Sequence, residues 1–259
     1  MIPIKRWLVH PLTRGLSVDD PRATSLRRCI IREKTFLRQL YSEWYEQIVG
    51  ALPSGEGSIL ELGSGAGFLS EHLPELITSE VFYCDGIRIV LDGQRLPFAD
   101  SSFRAIVMVD VFHHLPAVRL FLQDAARCTR TDGKIIMIEP WVTPWSQWVY
   151  RYLHHEPFVP EATHWEFATS GPLSGANGAL PWIVFSRDRV QFLKEFPEWR
   201  IEAIRLTMPF AYLISGGVSL RSFVPGMFYG LIRSVESLLT PYLPKIAMFA
   251  QITLQKTRY

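Results

Sequence analysis

Short apolar runs alternate with helix-like patterns through the middle of this chain. Residues 105–109 are apolar at every position, which is typical of a strand that is covered on both faces. Runs of this kind predict strands at 58–62, 75–80, 87–91, 104–110 and 134–139, with helices at 68–73 and 116–130. The alternation predicts an α/β fold with a mostly parallel sheet. Ligands of such sheets bind beyond the carboxyl ends of the strands, so the residues that follow each strand are the candidates for function.

The start of the chain and two internal segments have other patterns. Residues 24–50 carry apolar side chains near helical spacing and end in a glycine, which predicts one or two amphipathic helices within a helical N-terminal extension at 1–50. The rest, 51–259, is interpreted as the main domain with two insertions. The insertion at about 140–186 is rich in aromatic residues and proline, and the insertion at about 207–246 is apolar and helical. The other predicted elements are a helix at 187–196 and strands near 199–206 and 247–255.

The composition excludes several classes of protein. The chain has 259 residues, of which 48% are hydrophobic, so it can bury a full core and is not a disordered polymer. Its 27 basic and 25 acidic side chains are too balanced to indicate general nucleic-acid binding. The three cysteines include no C-x-x-C pair, and the N-terminus lacks the apolar segment of a signal peptide, which favours a reducing, cytoplasmic location. No apolar stretch approaches the roughly 20 residues of a membrane-spanning helix.

Positive charge is concentrated near the N-terminus. Residues 1–40 contain nine basic side chains against three acidic ones. The basic residues are Lys5, Arg6, Arg14, Arg22, Arg27, Arg28, Arg32, Lys34 and Arg38. They form either a solvated helix face or a surface that attracts an anionic substrate or lipid headgroups. A peripheral membrane contact is therefore one of two interpretations of this segment.

A glycine cluster follows the first predicted strand. Its sequence, ELGSGAG at 61–67, lets the backbone turn sharply and lets a ligand approach the main chain. The start of the helix predicted next would add free N–H donors. Phe68 stands where a dinucleotide-binding loop needs a small residue, which argues against NAD or FAD, and no Gly-Lys-Ser/Thr follows as in a phosphate-binding P-loop. The carboxylate of Glu61 suits an ammonium group, so the loop can hold both ends of an amino acid.

This loop resembles the first motif of the class I S-adenosylmethionine-dependent methyltransferases, in which an acid precedes G-x-G-x-G. The matching residues are Glu61, Gly63, Ser64, Gly65 and Gly67. The resemblance implies a Rossmann-like sheet of seven strands, mostly parallel with an antiparallel last strand, and S-adenosylmethionine as the cofactor. Within the family, the segment at about 52–140 is similar to the small-molecule subgroup that includes enzymes of ubiquinone and menaquinone biosynthesis.

Two further segments are similar to motifs of the same family. IVLDGQRLPFADSSF at 89–103 resembles the adenine-binding segment around the third strand. The residues to which the resemblance assigns this role are Asp92, Gly93, Gln94 and Leu96. VDVFHHLP at 109–116 resembles the turn after the fourth strand and adds Asp110 to the expected cofactor site. RTDGK at 130–134 departs from the Pro-Gly-Gly turn of the family, which affects a turn and not the cofactor.

The second strand of the family ends in an acid that binds the ribose hydroxyls, and a helix follows. Here Asp92 comes twelve residues after Glu80, so the resemblance implies that this helix is missing or reduced to a turn. Glu80 ends a predicted strand and is the favoured candidate for the ribose acid. Asp85 is the other candidate if the strand register is later.

A general base is needed if the acceptor is an alcohol or a phenol. The candidates are His113, His114, His154, His155, His164, Glu139 and Glu156. Among them His155 and Glu156, in the aromatic insertion, and His114 are favoured as catalytic residues. Adjacent side chains such as His113 and His114 are expected to point in different directions and to make a poor metal chelate, so no metal ligand is assigned.

The aromatic insertion has two interpretations. Its side chains pack as core within an irregular lid, or Trp141, Trp145 and Trp148 line a pocket for an apolar acceptor. In the second case a glycine-rich loop at 171–178 could close over the site. The sequence thus predicts an S-adenosylmethionine-dependent methyltransferase with a small, hydrophobic or lipid-like substrate. The alternative is a protein of the same fold that binds the cofactor without turnover, as a regulator or partner subunit.

Overall fold

The computed structural model describes residues 19–154, 156–169, 171, 174–222 and 224–257. Several residues singled out in the sequence lie outside the described residues. They are Lys5, Arg6 and Arg14 of the basic segment, His155 among the catalytic candidates, and Pro172 and Leu173 of the glycine-rich loop.

Seven strands form one sheet in the order β3-β2-β1-β4-β5-β7-β6. The strands are β1 (Ser58–Leu62), β2 (Leu76–Glu80), β3 (Ile89–Val90), β4 (Phe103–Val109), β5 (Thr129–Pro140), β6 (Trp199–Thr207) and β7 (Phe249–Lys256). β7 is antiparallel to both of its neighbours, and the pairs from β3 through β5 are parallel. This arrangement confirms the predicted seven-stranded sheet with an antiparallel last strand. The chain order reverses between β1 and β4, where the carboxyl ends of parallel strands open a crevice for ligands.

Helices cover both faces of the sheet. They are α1 (Pro21–Glu33), α2 (Thr35–Ala51), α3 (Val118–Cys128), α4 (Pro144–Leu153), α5 (Leu180–Trp182), which continues as a π-helix (Ile183–Arg187), α6 (Arg189–Glu195), α7 (Ala211–Ser215), α8 (Tyr229–Leu238) and α9 (Leu243–Ile246). Short 3-10 turns form at Leu69–Glu71, Phe112–His114, Gly226–Phe228 and Thr240–Tyr242. One core lies between the sheet and α3, α5 and α6, and the other lies between the sheet and α2, α4 and α7. From Ala105 to Val109, successive residues of β4 alternate between the two cores, as expected for a strand covered on both faces.

The helix predicted at 68–73 is wrong, because this segment forms only a 3-10 turn. α2 packs here instead. The Tyr45 hydroxyl accepts a hydrogen bond from the Phe68 backbone N–H at 3.1 Å, and the two rings meet edge to face with centroids 4.9 Å apart. The apolar pattern that indicated a helix therefore reflects packing against α2. The missing helix between β2 and β3 is confirmed, since residues 81–88 form only turns and bends.

The N-terminal basic segment is partly tied to the rest of the protein. The Arg28 guanidinium donates to the carbonyl oxygens of Gly65 and Asp85, and Arg32 pairs with Glu71 at 2.8 Å. These contacts hold α1 against the loops that follow β1 and β2. Arg28 and Arg32 are thus bound to other parts of the protein, and the segment is not a uniformly solvated helix face.

α8 carries apolar side chains that the fold leaves in contact with solvent. Leu231, Val235 and Leu238 follow one another at helical spacing and are 62%, 51% and 76% exposed. Within the described ranges, none of the helices combines the length and the apolar character required to cross a bilayer.

The opposite face of α8 is anchored by a buried carboxylate. Glu236 accepts hydrogen bonds from the backbone N–H groups of Phe210 and Ala211, both at 2.7 Å, at the start of α7. Arg233 contacts Glu236 and also pairs with Glu43 of α2, where Nη2 lies 2.5 Å from Oε1. This network joins three helices.

Glu236→Ala is expected to lower the free energy of unfolding by about 3 kcal/mol, because two backbone donors and a guanidinium lose their acceptor. Urea denaturation measures the loss. Glu46→Ala, at an exposed position of α2, is the control and should change stability by less than about 0.5 kcal/mol. Equal losses in the two variants would show that the network does not stabilise the fold.

Candidate active site

A cavity of about 560 Å³ opens at the carboxyl ends of β1, β2 and β4. Its walls come from the loops after these strands, from α1 and α2, and from the two predicted insertions. Among the residues predicted for the site, those that line it are Glu61, Gly63, Ser64, Gly67, Glu80, Asp92, Gly93, Gln94, Asp110, His114 and Glu156. The structure thus brings together most of the residues that the sequence singled out. α1 adds Thr24 and Arg27 to the wall, and no motif had indicated either residue.

The glycine loop has a shape that side chains would prevent. Gly63 has φ +66°, and a Cβ there would lie 2.4 Å from Cγ2 of Val111. The Gly65 N–H donates to Glu80 Oε2 at 3.2 Å, and a Cβ on Gly65 would lie 2.5 Å from the same oxygen. Gly65 is not part of the cavity wall itself but joins the ends of β1 and β2. The α-helix that was expected to add N–H donors after this loop does not form, and a short 3-10 turn stands in its place.

Two buried carboxylates lie at the carboxyl ends of β1 and β2. The pKa of Glu61 is raised to about 7, chiefly by burial and also by the nearby Glu80, while a hydrogen bond with Ser64 acts in the opposite direction. Burial also raises the pKa of Glu80, although its carboxylate accepts hydrogen bonds from the N–H groups of Val81 and Gly65. Asp85, the other candidate for the ribose acid, is exposed and lies outside the cavity wall.

The segment after β3 is held by its own side chains. Asp92 Oδ1 accepts from the Gln94 N–H at 2.9 Å, and Gln94 Oε1 accepts from the Ala117 N–H at 3.0 Å. Leu96 was expected beside the adenine ring, but its side chain packs in the core beneath α3 and lies outside the cavity wall. Asp124 fixes this position by accepting from the Leu96 N–H at 2.7 Å.

The turn after β4 places an acid, Asp110, in the cavity wall. Asp110 has φ +61°, and its N–H donates to the carbonyl of Ile138 on β5 at 2.8 Å. Its side chain keeps about 34% of its surface open. Burial nevertheless raises the pKa of Asp110 to about 7, with His113 acting in the opposite direction.

Behind Asp110, a histidine and a glutamate pair in the interior. His113 Nδ1 lies 2.7 Å from Glu139 Oε2, while Glu139 Oε1 accepts from the N–H groups of Val111 and Phe112 at 2.8 and 2.7 Å. Burial alone would lower the pKa of His113, but Glu139 and Glu156 hold it well above its usual value. Sequence reasoning missed this pair as a unit. The signal was the position of both residues at the carboxyl ends of neighbouring strands, since Val109 at the end of β4 pairs with Ile138, the residue before Glu139 in β5.

His114 and Glu156 differ in their surroundings. Burial lowers the pKa of His114 to about 4, with help from His113, and His114 Nδ1 lies 3.1 Å from the Gly175 carbonyl oxygen. Burial would raise the pKa of Glu156, but His113 holds it well below its usual range. Glu156 Oε2 lies 3.7 Å from His113 Nε2. The glycine-rich loop therefore meets the turn after β4 at His114.

The three tryptophans expected to line an acceptor pocket lie elsewhere. Trp141 belongs to the core, and Trp145 stacks on Trp148 while its Nε1 donates to the Pro209 carbonyl at 2.9 Å. The aromatic side chains that do line the cavity are Tyr41, Tyr45, Tyr150, Phe158, Tyr212 and Phe249. Sequence reasoning missed them because the pattern does not distinguish an aromatic side chain that faces the cavity from one that packs in the core.

Comparisons with known proteins identify the same fold. A model of the methyltransferase domain family matches residues 60–137. A solved structure of geranyl diphosphate C-methyltransferase from Streptomyces coelicolor A3(2), with Mg²⁺, geranyl-S-thiolodiphosphate and S-adenosyl-L-homocysteine, is similar with a TM-score of 0.53 and 12% identity over 97% of this chain and 87% of that chain. A protein described as a methyltransferase, in complex with the Haloferax volcanii Trm112 methyltransferase activator, has a TM-score of 0.52 and 11% identity over 94% of this chain and 100% of that chain. No curated protein matches the sequence.

The sheet order with its antiparallel β7, and the glycine loop after β1, define the class I methyltransferase fold. The segment at 60–137, which holds the glycine loop and the turn after β4, is the part of the chain that matches the methyltransferase domain family.

Gly63→Ala is expected to destabilise the protein by about 2 kcal/mol, because alanine is strained at φ +66° and its Cβ meets Val111. The free energy of unfolding from urea denaturation measures this. Gly50→Ala is the matched control, since a Cβ at Gly50 meets nothing within 4 Å and helix propensity favours alanine there. The loop geometry described above would be contradicted if both variants were as stable as the parent.

Proposed function

We propose that this protein binds S-adenosylmethionine in the 560 Å³ cavity and transfers its methyl group to a small, apolar or lipid-like acceptor. The observation that carries the proposal is that the matched motif residues Glu61, Glu80 and Asp92 converge on this one cavity from the ends of three strands. The cofactor supplies a sulfonium whose methyl group is attacked in line, and the protein contributes position and electrostatics.

The cofactor-binding roles follow the order of the strands. Glu61 would pair with the ammonium of the methionine part, and the main chain at 63–67 would bind its carboxylate. Glu80 would accept from the ribose hydroxyls, and Asp92 from the exocyclic amine of adenine. Asp110 would face the sulfonium side of the ligand. These carboxylates are buried and repel one another. A cationic ligand is therefore favoured, because its positive charge offsets both effects.

The acceptor class is inferred from the remaining walls. Tyr150, Phe158 and Tyr212 give one side of the cavity an aromatic surface. The buried Tyr150 hydroxyl has no hydrogen-bond partner in the part of the chain that the structure describes, so a polar group of the acceptor can use it. The exposed apolar residues of α8 support an acceptor taken from a lipid phase, with the helix in contact with the membrane surface.

Binding without turnover is the alternative, and the comparisons do not favour it. One assay distinguishes methyl transfer from binding without turnover. Organic extracts of cells are incubated with the protein and with S-adenosylmethionine that carries a tritiated methyl group, and the tritium incorporated into the extract is measured. Incorporation supports the transferase. Tight calorimetric binding without incorporation into any extract would support the alternative.

Glu80→Ala is expected to weaken S-adenosylmethionine binding by about 100-fold, since two hydrogen bonds to a charged group are lost. Asp85→Ala is its control, and it should bind within about twofold of the parent because Asp85 lies outside the cavity wall. Isothermal titration calorimetry gives both affinities. A larger loss in Asp85→Ala would reassign the ribose acid.

Cofactor affinity is expected to pass through a maximum between about pH 7 and 8. Glu61 must be ionised to pair with the ammonium, and its pKa of about 7 makes affinity fall as the pH drops below that value. Above about pH 8 the cofactor amine itself loses its proton. The charged groups around Glu61 are Glu80 and Arg28, with the neutral Tyr45 hydroxyl nearby. In Glu61→Gln, the acid limb of the calorimetric pH profile should become less steep, and an unchanged limb would exclude Glu61 as its source.

A further inference from the structure

The turn after β4 brings two histidines and a glutamate of the aromatic insertion close together. One ring nitrogen of His113, one of His114 and a carboxylate oxygen of Glu156 all lie within 4.8 Å of one another. The two imidazole rings have centroids 4.3 Å apart and are tilted by 40°. The expectation that adjacent histidines point in different directions is therefore wrong here, because the 3-10 turn Phe112–His114 folds them onto the same side.

Each histidine is oriented through its Nδ1 atom. Nδ1 of His113 lies 2.7 Å from a Glu139 carboxylate oxygen, and Nδ1 of His114 lies 3.1 Å from the Gly175 carbonyl oxygen. A carbonyl oxygen can only accept, so Nδ1 of His114 carries the proton and Nε2 keeps its lone pair. Histidines that bind metals almost always donate their other ring N–H to a carboxylate or a carbonyl. Both imidazole rings are thus oriented through Nδ1 in the way that is usual for histidines that bind a metal ion.

The Nε2 atom of His113 is the unexplained group of this cluster. His113 is 1% exposed, and its Nε2 has no hydrogen-bond partner within the described ranges. The 3.7 Å that separates it from Glu156 Oε2 is too long for a hydrogen bond. Two ligands of a tetrahedral ion with bonds of about 2.1 Å lie about 3.4 Å apart, so this spacing is close to what a shared metal needs.

We propose that His113, His114 and Glu156 bind a divalent first-row transition metal such as zinc. Two imidazoles and one carboxylate suit such ions, whereas magnesium and calcium prefer oxygen ligands. His114 and Glu156 line the cavity and His113 does not, so the open coordination positions face the cavity. If the proposed methyl transfer is correct, an oxygen atom of the acceptor would take one of these positions.

Glu139 is a positioning residue in this site. Its Oε1 serves the backbone of Val111 and Phe112, and its Oε2 faces His113. Glu139→Gln can keep the two backbone contacts through its amide oxygen. Its amide NH₂ would then face Nδ1 and force the proton to Nε2, which removes the ligand lone pair.

The site is tested by titrating the full-length, chelator-treated protein with Zn²⁺ and with Co²⁺. The parent should bind one ion per chain, with the visible absorption of cobalt held in a low-coordinate protein site. His114→Ala and Glu156→Gln should weaken binding by more than about 100-fold, and Glu139→Gln by about 10- to 100-fold. The controls are His164→Ala and Glu161→Gln, two exposed positions of the same insertion, which should bind as the parent does.

Equal zinc affinity in the ligand and control variants would overturn the proposal and leave an imidazolium–carboxylate pair only. Calorimetry with S-adenosylmethionine on the same preparations tests the proposed methyltransferase function separately from the proposed metal site. Cofactor binding without a metal would reject the metal site alone. Metal binding without cofactor binding would reject the proposed function and keep the metal site. Circular dichroism establishes that each variant is folded.

Discussion

Buried carboxylates at the carboxyl ends of parallel strands are the constraint on which this structure depends. Each must leave water, and each needs donors or cations nearby to offset that cost. Glu80 obtains them from the N–H groups of Gly65 and Val81, and Glu139 from Val111, Phe112 and His113. The turns after β1 and β4 take their shapes from this requirement, and those turns form the cavity.

Sequence reasoning placed at the cavity those predicted residues whose positions depend on local structure. The glycine loop and Glu80 could be predicted because the loop demands particular backbone angles and the acid ends a strand. Leu96, the helix at 68–73 and the tryptophans could not, since their surroundings are decided by Asp124, α2 and the fold of the insertion. The joining of His113 to Glu139 depends on the register between β4 and β5, which no local pattern reveals.

The N-terminal helices contribute more to the site than their sequence indicated. Thr24 and Arg27 form part of the cavity wall, and Arg28 fixes the carbonyl of Gly65. α2 supplies Tyr45, whose hydroxyl accepts a hydrogen bond from the Phe68 N–H at the position where a helix was predicted after the glycine loop. Side chains of α1 and α2 thus join the segment to the rest of the fold, through hydrogen bonds to the main chain of the glycine loop and through the Arg32–Glu71 ion pair.

The missing helix between β2 and β3 leaves β3 with two residues at one border of the sheet. So short a strand offers another chain almost no backbone to pair with. At the opposite border β6 is nine residues long, but its exposed positions include Arg200, Glu202 and Arg205. Charged side chains on a border strand oppose strand addition. The short β3 at one border and the charged side chains of β6 at the other therefore both oppose intermolecular aggregation of the sheet.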